Sequence, residues 1–266
     1  MEPLMEHGGT YPLDEIKEIC FEQVGFTYPR QKEPVLNDCS FTITKGETVG
    51  LVGLNGAGKT TIVKLLLRFY DVTQGKITIN GMDIRDYELT SLRRAFGVLF
   101  QDFVRYSMTA KENISLSDLE HCEDIRRINT ISRQSGVSEF ALEWEHGLDT
   151  PLTRRFDNTG IELSGGQWQK ISLARTLFRS CDFIVLDEPS ASLDPESEYR
   201  IFEQFKQLSE GKTALLISHR LSNIMLCSHI VVLDGGHVSQ QGTHQELMEQ
   251  GGEYASLFTI QSRKYQ

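Results

Sequence analysis

An α/β fold built on a largely parallel sheet is predicted by three features of the chain. Strand-like and helix-like runs alternate through the C-terminal half: Phe183 to Leu186, a helix from about Glu196, Thr213 to Ile217, a short helix, then Ile230 to Leu233. Parallel strands need such a rhythm, because each connection must cross back over a face of the sheet. The apolar run Thr48 to Val52 leads into a glycine-rich loop and then a helix, marked by Ile62, Leu65, Leu66 and Phe69 at helical spacing. Every apolar run is short, suiting a buried strand, and none approaches the length that spans a bilayer.

The remaining elements follow in chain order. Met1 to about Ile16 is polar, with Pro3, Gly8, Gly9 and Pro12, and is expected to be a linker. Ile19 to Phe26 and Ser40 to Thr44 are β-like, the second alternating Phe41 and Ile43 with polar neighbours. Lys76 to Asn80 alternates again and ends in the turn dipeptide Asn80-Gly81, and Phe96 to Phe100 is a further apolar strand. From about Asp102 to Leu177 the text turns charged and helix-favouring, which predicts an inserted helical subdomain. Near the end, Thr243 with Glu246 has the spacing of a capping box, and Gly251 is placed to stop the helix it starts.

Composition narrows the function. The formal charge of −10 over 266 residues argues against nucleic-acid binding, which needs a clustered excess of Lys and Arg. The N-terminus lacks the basic-then-apolar layout of a signal peptide, so a membrane role is expected to come through a partner or a further part of the chain. Five scattered cysteines, with no C-x-x-C pair, fit reduced thiols better than a disulfide framework or a zinc site.

The loop itself carries chemistry. Gly53-Leu54-Asn55-Gly56-Ala57-Gly58-Lys59-Thr60 fits G-x-x-x-x-G-K-[ST] without a mismatch, followed by Thr61. Its glycines let several backbone N–H groups turn toward one anion, and the helix that follows adds its partial positive charge. In that setting Lys59 is expected to reach the β- and γ-phosphates of a nucleotide and the Thr60 hydroxyl to ligate Mg²⁺. By chance alone the pattern would arise in on the order of 1% of chains this size, and the flanking strand and helix lower that further.

Phe183 to Leu186 ends in Asp187-Glu188. In a parallel sheet a strand's C-terminal end faces the phosphate-loop crevice, and adjacent side chains diverge, so the two acids can differ in role. Asp187 is expected near Mg²⁺, and Glu188 is expected to polarise an attacking water.

Twenty residues before Asp187 stands Leu163-Ser164-Gly165-Gly166-Gln167. This string resembles the signature of ABC ATPases, and with the loop and the acidic pair the resemblance covers nearly the whole chain. It implies a P-loop NTPase (RecA-like) core with a mainly parallel sheet, an N-terminal antiparallel β-subdomain and an inserted α-helical subdomain. Residues 1–17 would be a linker from a transmembrane domain and 18–266 the ATPase domain, with 18–101 and 177–266 forming the core and β-subdomain and 102–176 the helical part. The cofactors implied are ATP and Mg²⁺. Tyr28 looks like the family's adenine-stacking aromatic, Gln101 like its Q-loop glutamine, Asp194 like part of its D-loop, and His219 like the switch histidine that contacts the γ-phosphate. In this family two such domains face head to tail, so Ser164, Gly165, Gly166 and Gln167 would serve the nucleotide of a second ABC ATPase domain.

Several stretches look like the exporter branch, where the domain follows six membrane helices: Gly9 to Ile19 at the entry, and Gly242 to Leu247 and Tyr254 to Phe258 near the end. The partner implied is an exporter's transmembrane domain and the location the cytoplasmic face of the plasma membrane, with the chain a fragment, a split-gene product or a separate subunit. The stretch Arg154 to Glu162 departs from the acidic, glycine-containing segment that many exporters carry there. Only Gly160 aligns, so the usual coupling glutamate is missing or replaced. A stand-alone importer ATPase and a non-transport ABC switch are the alternatives.

Overall fold

The antiparallel sheet comes first in the chain, and its order is β2-β1-β4-β5. β1 (Glu18–Phe26) pairs with β2 (Leu36–Thr44), which is followed by β3 (Thr48–Gly53), α1 (Lys59–Leu66), β4 (Gln74–Ile79) and β5 (Met82–Asp83). The computed structural model describes residues 8–188, 211–218 and 220–262. Those residues fall into two compact units: the first takes in residues 8–96, 182–188, 211–218 and 220–262, and the second 97–181.

In the first unit, Asn80 (φ 52°) and Gly81 (φ 80°) both turn left-handed between β4 and β5, as a tight hairpin turn with a matching twist requires. The residues read as a linker are docked on this sheet from Gly9 onward. The Gly9 amide donates to the Tyr87 carbonyl, the Tyr11 amide to the Asp86 carbonyl, and Leu13 and Ile16 are buried. The short helix α2 (Leu89–Arg94) leads into β6 (Phe96–Leu99), which carries the chain out of this unit.

The second sheet of this unit runs β10-β9-β3-β8-β7, formed with β7 (Phe183–Asp187), β8 (Thr213–Ile217), β9 (His229–Asp234) and β10 (His237–Gly242). β3 is parallel to both β8 and β9, and β7 to β8; β10 returns antiparallel to β9. Every residue of β7 and of β8 is buried, as expected of parallel strands covered on both faces. The register sets Val49 against Leu215, and Asp187 against Ile217. α1 ends at Leu66, one turn before Phe69, because Arg68 adopts a left-handed φ of 48°. Thr243 and Glu246 close the expected capping box on the helix His244–Gln250, and Gly251 (φ 71°) ends it. The helix expected from about Glu196 lies outside the described residues.

The second unit is helical: α3 (Ala110–Ser115), α4 (Ile125–Gln134), α5 (Ser138–Ala141) and α6 (Gly165–Phe178). Ile114, Ile128, Val137, Trp168 and Ile171 form its apolar core. Thr109 caps α3 with a complete box to Glu112, and the Asn113 carboxamide ties α3 to the carbonyls of Tyr106 and Met108. Among the described residues no helix is long and apolar enough to cross a membrane.

Candidate nucleotide site

The loop after β3 is forced into its path by two glycines. A Cβ on Gly53 would come within 2.3 Å of the Leu233 carbonyl oxygen, so only glycine lets β3 approach β9 and turn away. Gly58, the N-cap of α1, holds φ 104°, and a Cβ there would strike the Leu36 side chain at 2.5 Å. The loop between them (Leu54, Asn55, Gly56, Ala57) delivers Lys59, Thr60 and Thr61 to the first turn of α1.

Lys59 is 5% exposed, and its ammonium donates to the Gly53 carbonyl at 2.8 Å and the Leu54 carbonyl at 3.0 Å. Burial holds its pKa below the ordinary lysine value, against the pull of the Glu188 and Asp187 carboxylates. The cation is thus folded onto its own loop by neutral carbonyls, weaker partners than phosphate oxygens would be.

Asp187 ends β7 almost wholly buried, and the Thr60 hydroxyl donates to its Oδ1 at 3.4 Å, long for such a bond. Desolvation raises the Asp187 pKa above the usual carboxylate range, opposed by Thr60 and Lys59. Glu188 follows with its amide donating to the Ile217 carbonyl at 2.9 Å and with φ at 50°, in the left-handed region that glycine favours. Such strain persists where the surroundings fix it, and it gathers at working sites.

These groups fit a phosphate-bound Mg²⁺. A hydroxyl and a carboxylate, both hard oxygen donors, meet across 127 residues of sequence beside a buried lysine. Tyr28 is half-buried beside the same helix. Its hydroxyl hydrogen-bonds the Thr61 hydroxyl at 3.1 Å, and its ring sits edge-on to Phe26 and Tyr70, with the Lys64 ammonium 5.4 Å from its centroid. Sequence reading gave Tyr28 only a stacking face. The partners Thr61, Tyr70 and Lys64 lie 33 or more residues away in the chain, where no local pattern announces them.

Ser164 and Gln167 stand in the second unit, at the start of α6. The Gln167 amide donates to Ser164 Oγ at 3.2 Å, and the Ser164 amide to Gln167 Oε1 at 2.9 Å, a reciprocal capping box. Gln167, expected to serve a nucleotide, thus has its carboxamide oxygen committed to the helix start. The S-x-x-Q spacing was the signal for it. Gly165 has open space where a Cβ would stand, leaving the first turn of α6 accessible. In the atypical stretch before it, Glu162 accepts from the Arg154 amide at 2.8 Å, and Arg154 Nε donates to the Gly160 carbonyl at 3.0 Å. Gln101 is exposed in the turn after β6. Asp194 and His219 lie outside the described residues.

The family model described as "ABC transporter" matches residues 36–191. The chain belongs to the ABC transporter family. It is 40% identical over 242 residues to a putative multidrug export ATP-binding/permease protein of Bacillus subtilis (strain 168), a match covering 91% of this chain and 41% of that protein. It is 41% identical over 256 residues to an ATP-dependent lipid A-core flippase of Vibrio vulnificus (strain CMCP6), covering 95% of this chain and 43% of the flippase. Among solved structures, a bacterial Atm1-family ABC exporter with ATP bound superposes at a TM-score of 0.86 with 32% identity, over 97% of this chain and 44% of that one. The chain therefore spans less than half the length of these ABC transporter relatives. The fold is the P-loop ATPase fold of that family, and such domains bind ATP.

Proposed function

We propose that this chain is the ATP-hydrolysing domain of an ABC exporter, working against a second such domain and beneath a transmembrane partner on the cytoplasmic face of the membrane. The observation that carries the reading is the convergence of Lys59, Thr60 and Asp187 at one end of the parallel sheet. The export names of the relatives favour an exporter over a stand-alone importer ATPase.

In the proposed reaction the loop 53–60 wraps the phosphates with backbone N–H groups, and Lys59 leaves its two carbonyl partners for phosphate oxygens. Thr60 and Asp187 would hold Mg²⁺, with Gln101 as a further ligand; when bound, the ion neutralises charge on the phosphates. Glu188 orients the attacking water and takes its proton, a general-base role. His219 would be the switch histidine that contacts the γ-phosphate and Asp194 part of the D-loop, both outside the described residues. Tyr28 covers the adenine face. Ser164, Gly165 and Gly166 present the N-terminus of α6 to the nucleotide held by the opposite domain, so hydrolysis requires the pair.

The test is ATP turnover by the purified chain and by its Glu188→Gln variant. The variant is expected to bind MgATP, lose hydrolysis by about 10²–10⁴-fold, and shift from monomer to dimer on size exclusion with MgATP. Parent-rate turnover by the variant, or no ATP-dependent dimer at high concentration, would refute the assignment.

A further inference from the structure

The Tyr28 ring has a position and a plane, and different neighbours fix the two. Its hydroxyl is hydrogen-bonded to the Thr61 hydroxyl at 3.1 Å. A phenol oxygen lies on the axis about which its ring turns, so this bond holds the tip of the ring and leaves the plane free. That torsion is intrinsically broad in tyrosine. The plane is therefore set by whatever packs against the sides of the ring.

Three side chains do so. Phe26 meets the ring at 4.8 Å between centroids and 80° between planes, and Tyr70 at 5.3 Å and 86°. Phe26 and Tyr70 also touch each other, at 5.6 Å and 50°, which closes a triad of rings. The Lys64 ammonium lies 5.4 Å from the Tyr28 centroid, but a long flexible stem fixes no plane. Edge-to-face ring pairs are directional, so Phe26 and Tyr70 are what orient Tyr28. Phe26 shares Tyr28's own stretch of backbone and moves with it. Tyr70 comes from the chain beyond α1, and its contact ties the ring to the helix that starts at the phosphate loop.

Tyr70 is itself firmly placed. Before it, Arg68 takes its left-handed turn with its side chain buried, donating to the Arg85 carbonyl at 3.1 Å. The same guanidinium pairs with Asp71 at 2.8 Å, bracketing Phe69 and Tyr70 between the two partners. Arg93 donates to the Leu67 and Arg68 carbonyls at 3.1 and 3.0 Å. After it, the Thr73 amide and hydroxyl both donate to the Gly25 carbonyl at 2.9 Å, next to Phe26. The stretch from Leu67 to Thr73 is thus pinned at both ends, and the ring it carries is a fixed wall.

We infer that Tyr70 is a positioning residue for the nucleotide base: it sets the plane of Tyr28 relative to the phosphate loop, so that one rigid frame grips base and phosphates together. The inference rests on the reading of Tyr28 as the face that stacks on adenine. Tyr70 acts through Tyr28 and uses its ring, not its hydroxyl. A ring already held in its stacking orientation loses less freedom when the base arrives, and that saving appears as affinity.

The test is calorimetric titration of the 266-residue chain with MgATP, and with inorganic tripolyphosphate and Mg²⁺ as the probe that lacks a base. Tyr70→Leu is expected to weaken MgATP about two- to tenfold, the range of one aromatic pair, and to leave tripolyphosphate unchanged. Tyr70→Phe keeps the ring and is expected to match the parent. In a Tyr28→Ala background, Tyr70→Leu is expected to have no further effect on MgATP, because the ring it orients is gone. Tyr70→Met replaces Tyr70→Leu throughout if the latter fails to fold. A residue that merely stabilised the fold would weaken both probes, and would do so in both backgrounds. Unchanged MgATP affinity in Tyr70→Leu, equal losses with and without Tyr28, or a Phe variant as weak as Leu would each overturn the inference while leaving Tyr28 in place. If Tyr28→Ala binds MgATP as the parent does, the stacking assignment itself falls, and the role of Tyr70 with it.

Discussion

The Thr60 hydroxyl donates to Asp187 Oδ1 at 3.4 Å across 127 residues of sequence, joining the first turn of α1 to the end of β7. The contact is long, and burial has already raised the Asp187 pKa. The end of β7 is therefore a poor home for a carboxylate. Asp187→Asn is expected to raise the stability of the metal-free chain by about 1 kcal/mol, the scale of a poorly compensated buried polar group, and to abolish the Mg²⁺ dependence of ATP binding. Thermal melts in chelator and calorimetric titrations with and without Mg²⁺ check both halves. A lower melting temperature for Asp187→Asn in chelator would show that the carboxylate stabilises the fold.

Glu188 holds φ at 50°, where a residue with a Cβ costs about 1 kcal/mol or more relative to glycine. Glu188→Gly is expected to match or exceed the parent in denaturant midpoint while losing turnover. Glu188→Gln keeps the strain and is expected to match the parent in stability. A Glu188→Gly chain less stable than the parent would mean that the side chain's own contacts outweigh its backbone.

Tyr28 works through both its ring and its hydroxyl. Removing the 3.1 Å bond to Thr61 while keeping the ring separates them. Tyr28→Phe is expected to keep ATP affinity within about twofold while lowering stability by about 0.5–1.5 kcal/mol, the net worth of one hydrogen bond. Tyr28→Ala loses both. If Phe costs as much ATP affinity as Ala, the hydroxyl rather than the face is what the nucleotide uses.

The box at the start of α6 yields a coupling measurement. Ser164→Ala is expected to cost about 1 kcal/mol of stability, and Gln167→Ala a smaller amount, since it frees the Ser164 amide. The double variant is expected to cost less than the sum, because the two bonds form one reciprocal unit. Strict additivity in urea melts would show that the bonds act independently.

Glu246 is held below the usual glutamate range, first by the Thr243 backbone N–H and then by its hydroxyl. A depressed folded-state pKa means the unfolded chain binds more protons, so the stabilisation is present above the unfolded pKa and is lost as pH falls through the folded one. Glu246→Gln is expected to lower the melting temperature at pH 7, with the difference from the parent vanishing in acid. A difference that stays constant with pH would assign the effect to packing.

How legible these features were depends on whether their physics is local. β7 and β8 are unbroken apolar runs because both faces are buried, so they could be read directly from the text. β10 could not: His237–Gly242 is a polar end strand that alternates exposed and half-covered residues. The first half of β2 was hidden by Asn37 and by Asp38, whose φ of 52° marks an irregular strand. Gly9 to Ile16 read as a linker because its docking partners, such as Tyr87, lie far along the chain. In the site, the phosphate loop and the acidic pair were legible as contiguous words. The left-handed turn at Glu188 and the Tyr28 bond to Thr61 were not, because both are set by neighbours remote in sequence.

The reciprocal bonds between Ser164 and Gln167 confine the start of α6 to four consecutive residues. A helix that defines its own beginning asks nothing of the text before it. The preceding segment is then at liberty to change composition, and Arg154 to Glu162 has closed on itself through Arg154, Gly160 and Glu162. The segment before the signature and the helix start within it are thus held by separate sets of bonds in one short stretch of chain.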